Sequence, residues 1–369
     1  MALKGLVLAG GRGTRLRPLS YSGPKQLVPV ANRPILDYAL ASVREAGVED
    51  IGIIVSPEHR APIEAHLRDL GPALGARATV IEQERPGGLA HAVLTAKPFL
   101  GTAPFLLVLG DNLVGASLRE AAARFTSEPA CAARIWLKEA GDPTAFGVAR
   151  VDPQGRVLEL VEKPRDPPSN LALVGVYLLR ASIFPIIEAL TPSARGELEI
   201  TDALSALIAR GDRVDVELLE SFWLDTGKKD DLLSANRVVL SHRLTAEQRG
   251  HVDPGSTVLG VVEIGLGAVV TRSRISGPTV IGPGCIVSDS VVGPGSAVGA
   301  GCTIERAEVE ESVILPNTVV RGARLMRSLV GQRCHIELVD AGTLQLSLGD
   351  DCEVRVEPGA RGATRARSG

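Results

Sequence analysis

A chain of 369 residues with a formal net charge of −3 has room for about two domains and no cationic surplus that would draw nucleic acid. No stretch approaches the roughly 18 consecutive apolar residues of a membrane-spanning helix, and Met1-Ala2-Leu3-Lys4 enters the first apolar segment without a secretory signal pattern. A soluble, cytoplasmic protein that partners neither membrane nor nucleic acid is expected.

The first predicted element is a buried strand from Leu6 to Ala9, which breaks into Gly10, Gly11 and Gly13 and is followed by three cations, Arg12, Arg15 and Lys25. Glycines at the end of a strand let backbone N–H groups close on phosphate, because no Cβ stands in the way. Two familiar phosphate loops are excluded: Thr14-Arg15 replaces the Lys-Ser/Thr of a P-loop, and Leu16 stands where a dinucleotide fingerprint needs its third glycine. The apolar spacing of Ile35, Leu36, Ala39, Leu40 and Val43 then predicts a helix to Ala46, stopped by Gly47. A strand over Asp50 to Ser56, a helix over Pro62 to Leu70, a strand over Ala78 to Glu82, a helix over Leu89 to Ala96 and a strand over Phe105 to Leu109 continue the alternation. Such repetition predicts an α/β domain, Rossmann-like, with a mostly parallel mixed sheet and its ligand at the carboxyl ends of the strands.

Leu109-Gly110-Asp111-Asn112 places an acid at the end of that last strand, and Trp223-Leu224-Asp225-Thr226-Gly227 places a second after a later apolar segment. Two such carboxylates suit one Mg²⁺, which keeps few protein ligands and takes phosphate oxygens for the rest. Between them, Glu162 and Lys163 adjoin, so on a continuing strand they would face opposite sides unless Pro164 ends it.

Aromatic usage marks the boundary between architectures. All Phe, Trp and Tyr residues fall between Tyr21 and Trp223, and the last lysine is Lys229. From about Val258 the chain turns to short apolar runs with Gly-x-Gly punctuation, as in Ile281-Gly282-Pro283-Gly284, Val292-Gly293-Pro294-Gly295 and Val298-Gly299-Ala300-Gly301. The step from Ile275 to Ile281 and from Val292 through Val298 to Ile304 is the hexapeptide period of a left-handed parallel β-helix, which Val313, Val319 and Val330 continue less regularly. The expected organisation is residues 1–240, the α/β domain; 241–357, the β-helix; and 358–369, a small basic disordered tail. Cys131, Cys285, Cys302, Cys334 and Cys352 form no C-x-x-C pair, so neither zinc nor a disulfide framework is expected, only buried small apolar side chains.

The coupling of Gly10-Gly11-Arg12-Gly13-Thr14-Arg15 to Pro24-Lys25, with Leu16-Arg17-Pro18 inside it, resembles the signature of sugar-1-phosphate nucleotidyltransferases. Glu82-Gln83, Gly87-Gly88-Leu89-Ala90-His91-Ala92, Phe146-Gly147-Val148 and Gly196-Glu197-Leu198-Glu199-Ile200-Thr201-Asp202 resemble the long-form glucose-1-phosphate thymidylyltransferases in particular. The resemblance implies that Gly10, Gly11, Gly13 and Thr14 seat a triphosphate while Arg15 and Lys25 neutralise it. It also implies that Gln83 and Gly88 read a pyrimidine, and that Asp111 and Asp225 hold Mg²⁺. Gly147, Glu162, Lys163 and Val174 would form the sugar-phosphate pocket, with Arg195 assisting. The implied substrates are dTTP, or UTP in a uridylyltransferase, and a hexose 1-phosphate, in a homo-oligomer. The β-helix stays open between an oligomerising appendage and a second, acyl-transferring site, for which His242, His251 and His335 are the candidate bases.

Overall fold

The computed structural model describes residues 2–11, 13–338 and 342–356; Arg12 and the tail expected to be disordered lie outside the described residues. The chain packs as two compact units. The first holds the stretch up to Gly13, then Gly23–Leu27 and Pro34–Thr226; the second holds Thr14–Ser22, Val28–Arg33 and the chain from Gly227 onward.

The first unit is built on Lys4–Leu8 (β1), whose interior residues are all buried. Residues that alternate along a strand face opposite sides of a sheet, so Leu6 enters one apolar cluster and Val7 another. The helix Ile35–Glu45 (α1) follows, burying Ile35, Leu36, Ala39, Leu40 and Val43 as their spacing predicts. Then come Asp50–Val55 (β2), the helix Arg60–Leu70 (α2), Arg77–Glu82 (β3), the helix Leu89–Thr95 (α3) and Phe105–Leu109 (β4). The strands β3, β2, β1 and β4 pair in that order, all parallel.

A short strand, Asn112–Val114 (β5), comes next, and the sheet is then completed mainly by antiparallel pairings. They involve Cys131–Glu139 (β6), Gly147–Val151 (β7), Val157–Glu162 (β8) and Leu171–Leu179 (β9). β9 lies antiparallel to β4, β6 and β7, and β8 to β7. After the helix Ile200–Ala209 (α4), Arg213–Leu218 (β10) pairs parallel with β6. Last, Trp223–Asp225 (β11) forms a two-stranded antiparallel ribbon with β5, outside the main sheet.

In the second unit, the helix Lys229–Arg243 (α5) accompanies three parallel sheets of 7, 7 and 6 strands, the faces of a parallel β-helix. Val270, Val287, Ile304, Val320 and Ile336 stack in register down its interior. Serines recur at one corner: Ser290 Oγ donates to the Ser288 carbonyl and accepts from the Ala307 N–H one coil further on, 17 residues away. At another corner the equivalent step, from Ser312 to Ser328, is 16 residues. Coils shorter than three full hexapeptides explain why the apolar period loosens after Ile304. Cys131, Cys285, Cys302 and Cys334 are buried, Cys352 is half-buried, and all five are free thiols. His251 sits exposed on the first coils, His335 lies 3.5 Å from Glu337, and His242 caps its own helix through Val238. Among the described residues no helix is long and apolar enough to cross a membrane.

Candidate active site

The glycine turn after β1 wraps a lysine. A Cβ at Gly13 would stand 2.7 Å from Lys25 Cβ, and one at Gly11 would stand 3.2 Å from Lys25 Cε. The aliphatic stem of Lys25 is thus packed into the loop, leaving the side chain 10% exposed, and its ammonium pairs with the Asp111 carboxylate. The fork from β4 into β5 positions Asp111, whose carbonyl accepts from Thr226 Oγ1 at 2.8 Å and from the Thr226 N–H at 3.2 Å. Asp225 lies opposite Asn112 in the β5–β11 ribbon. The ribbon and the turn before it therefore bring the backbones of Asp111 and Asp225 close together, and Asp111 is the acid that meets the buried cation.

Gly10, Gly11, Gln83, Gly88 and Asp111 all line one cavity of about 250 Å³. That is small against the roughly 300–1,000 Å³ of pockets that enclose a drug-sized ligand, so the cavity suits one portion of an extended ligand. Gln83, just past the end of β3, donates from Nε2 to the Gly88 carbonyl at 3.4 Å and to His91 Nδ1 at 2.8 Å. Two further lining residues, Gln26 and Glu197, escape sequence reasoning. Gln26 is 1% exposed, and its Oε1 finds no hydrogen-bond partner among the described residues. The available signal is position alone: a polar residue directly after Lys25, ahead of the apolar Leu27-Val28.

A second cluster gathers the residues anticipated for a sugar phosphate. Glu162, the last residue of β8, pairs in register with Gly147, the first of β7. β8 ends there, and Lys163 adopts φ 43°, which brings its ammonium to 3.6 Å from Glu162 instead of across the sheet. Glu162 also accepts from Thr201 Oγ1 and from Arg195, each at 3.3 Å. Arg195 is shared with Glu197 and Glu199. Burial pushes the Glu199 carboxyl above its ordinary range, with the Glu162 charge adding to the rise and the Ser193 hydroxyl and Arg195 opposing it. Beside the cluster, Phe146 packs on Trp223 with ring centroids 4.7 Å apart. Val174 sits where β9 slips register between Leu173 and Tyr177; its side chain is buried in the core, so only its backbone can meet a ligand, and its carbonyl accepts from Asn112 Nδ2 at 3.2 Å.

Thr14 and Arg15 stand apart from this description. They are exposed on the short turn Thr14–Leu16 and pack with the second unit, where the Arg15 charge bears on Asp231. Among the described residues no group of three or more His, Cys, Asp or Glu side chains gathers as a metal cage. Asp111 and Asp225 are the oxygen donors that Mg²⁺ takes in ones or twos, with phosphate oxygens for the rest of its shell.

A glycine turn at the carboxyl end of a parallel strand, with a lysine bound into it and an acid on that lysine's ammonium, suits an enzyme that handles phosphate groups by charge and alignment. Comparison with known proteins narrows the class. The nucleotidyl transferase family matches residues 4–242, and the GlmU-like C-terminal hexapeptide matches residues 273–343. The chain belongs to the nucleotidyl transferase family, and its C-terminal coils are those of a left-handed β-helix.

Among its relatives, a glucose-1-phosphate thymidylyltransferase of Streptomyces antibioticus is 43% identical over 358 residues, 96% of this chain and 100% of the relative. The low-salt glycan biosynthesis nucleotidyltransferase Agl11 of Haloferax volcanii is 45% identical over 266 residues, 72% of this chain and 74% of the relative. A solved UDP-glucose pyrophosphorylase complexed with UDP-glucose is similar with a TM-score of 0.60 and 26% identity, covering 66% of this chain and all of that one, 100%.

Proposed function

We propose that the chain joins dTTP to α-D-glucose 1-phosphate, giving dTDP-glucose and pyrophosphate. The observation that carries this reading is a cavity lined both by Gln83 and by Asp111, the acid paired with Lys25. Near-full-length similarity to the Streptomyces antibioticus thymidylyltransferase supports the choice of nucleotide and sugar. In the reaction an oxygen of the sugar phosphate bonds to the α-phosphorus of dTTP, the bridging α–β P–O bond breaks, and pyrophosphate leaves with that electron pair. A sugar phosphate is already anionic and nucleophilic at neutral pH, so no side chain need take a proton, and the site's work is alignment and charge neutralisation. Lys25 would offset charge at the reacting phosphates, the glycine turn would present N–H groups to them, and Glu162 would accept hydroxyls of the hexose. Asp111 and Asp225 would hold Mg²⁺, which supplies Lewis-acid polarisation of the phosphoryl oxygens when bound.

The test is a matrix of nucleoside triphosphates against sugar 1-phosphates, read as pyrophosphate release. Highest kcat/KM with dTTP and glucose 1-phosphate is expected; a preference for UTP would reassign the enzyme as a uridylyltransferase. Lys25→Ala and Asp111→Ala are each expected to lower kcat by about 10²–10³ with near-ultraviolet circular dichroism unchanged, and near-normal turnover in either would overturn the site.

A further inference from the structure

The Gln83 amide is held in one of its two possible orientations. Its Nε2 contacts the Gly88 carbonyl, and a carbonyl oxygen can only accept. That carbonyl is itself fixed in direction, because it accepts from the Ala92 N–H at 3.1 Å as the first acceptor of α3. The nitrogen end of the amide must therefore face Gly88, and its second hydrogen is directed at His91 Nδ1, 2.8 Å away. It follows that Nδ1 is the bare ring nitrogen and Nε2 carries the proton. Both amide hydrogens are taken up inside the protein, and Oε1 is left beside Gly10, 3.5 Å from where a Cβ of that residue would stand. Gly10, Gln83 and Gly88 all line the cavity, so the group Gln83 offers a ligand there is an acceptor.

We propose that His91 is a positioning residue that sets base choice: by accepting from Gln83 Nε2 it keeps Oε1 turned toward the cavity, so the site takes pyrimidines with an N3–H donor and rejects cytosine. This inference rests on the proposed function, in which Gln83 meets the base. Thymine and uracil carry a hydrogen on N3, whereas cytosine presents an unprotonated acceptor there, and two facing acceptors repel. The Gly88 carbonyl, which can only accept, selects the orientation through a long contact of 3.4 Å; the shorter bond to His91, 2.8 Å, is what holds the amide there.

The surroundings of His91 fit such a role. Gly87 lies flat against the ring, since a Cβ at that position would stand 2.6 Å from His91 Cγ. The Gly87–Gly88 loop is strapped to the segment before α4 by Leu198 N–H donating to the Gly87 carbonyl at 2.8 Å and by Ala90 N–H donating to the Leu198 carbonyl at 3.0 Å. Burial lowers the proton affinity of His91, and the nearby Arg85 charge lowers it further, so the ring stays neutral and Nδ1 stays an acceptor.

The experiment compares dTTP with dCTP in the full-length wild type, His91→Leu and His91→Asn at saturating glucose 1-phosphate. Leucine fills the space without an acceptor, while the asparagine Oδ1 stands close to the place of Nδ1. In His91→Leu the dTTP to dCTP ratio of kcat/KM is expected to fall about tenfold, the scale of one oriented hydrogen bond, through a raised KM for dTTP with kcat and the KM for glucose 1-phosphate unchanged. In His91→Asn most of the discrimination is expected to return. A wild-type ratio in His91→Leu, or a parallel loss of kcat with both nucleotides, overturns the positioning role. A wild type that prefers a purine triphosphate overturns the proposed substrate itself, a result visible before any variant is made.

Discussion

A lysine that is almost wholly covered needs both a partner for its charge and a surface for its stem, and Lys25 draws these from different parts of the chain. Asp111 takes the charge, and the turn after β1 takes the stem. The glycines of that turn are thus required before any phosphate arrives. At Gly13 the demand is double, because φ is 63° and a Cβ would meet the Lys25 stem at 2.7 Å. Gly13→Ala is expected to cost about 1–2 kcal/mol of stability and to depress kcat more than it raises the KM for dTTP, since it moves the ammonium off Asp111. Urea unfolding and steady-state kinetics check this, and unaltered kinetics would show that the loop does not steer Lys25. His91 makes a prediction of opposite character. Its proton affinity is lowered in the folded state, so as pH falls through the ordinary histidine range, near 6.5, the unfolded chain takes up a proton that the native chain resists. Stability is therefore full above that range and declines below it. The drop in urea midpoint between pH 7.5 and pH 5.5 should be smaller in His91→Asn than in wild type; an equal drop would mean that His91 contributes nothing to the acid sensitivity.

Elements differ in how far their sequence reveals them. The parallel strands and α1 were legible because each buries a local pattern, and the β-helix was legible because its pattern repeats. The antiparallel half was harder. There β9 slips register between Leu173 and Tyr177, with Gly175 at φ 77°, so no simple alternation survives across the bulge. The turn at Lys163 was half legible: Pro164 predicts that the strand ends, but only the folded chain shows the ammonium brought back to Glu162. Gln26 stayed hidden because it reaches the cavity beside residues far from it in the chain, and His91 because its bond to Gln83 spans an irregular loop with no periodic signal. In the β-helix the serine corners are a stabilising element that the apolar period does not announce. Ser290 Oγ joins two coils, and Ser290→Ala would leave the Ala307 N–H buried without that acceptor. A loss of about 1–3 kcal/mol is expected, the range for an unsatisfied buried group. Pairing it with Ser273→Ala should give less than the sum, because Ser273 Oγ accepts from the Ser290 N–H in the same ladder. Thermal unfolding of the single and double variants measures both, and strict additivity would show that the corners act independently.

For the whole molecule, the division into units departs from the order of the chain. Thr14–Ser22 and Val28–Arg33, from the most motif-rich stretch of the sequence, pack with α5 and the β-helix. Asn236, on α5 and fully buried, accepts from the Ala31 N–H at 2.9 Å and donates to the Gly295 carbonyl at 2.9 Å, tying three separate segments together. Asn32 Nδ2 donates to the Val298 carbonyl at 2.7 Å, and Pro18 lies against Gly349, where an added Cβ would stand 3.2 Å from it. The coils are therefore part of what holds the turn bearing Arg15, whatever else they do. A chain ended after Arg243 keeps the residues matched by the nucleotidyl transferase family, 4–242, yet loses Gly295, Val298 and Gly349. Its kcat/KM is expected to fall about 10²-fold, the penalty that a displacement of about 1 Å in a positioned group can carry. Asn236→Ala in the full chain should reproduce part of that loss while leaving the coils in place. If the shortened chain turned over at the full rate, the arrangement of Arg15 would have to be independent of the β-helix, and the packing of residues 14–22 within the second unit would have no bearing on catalysis.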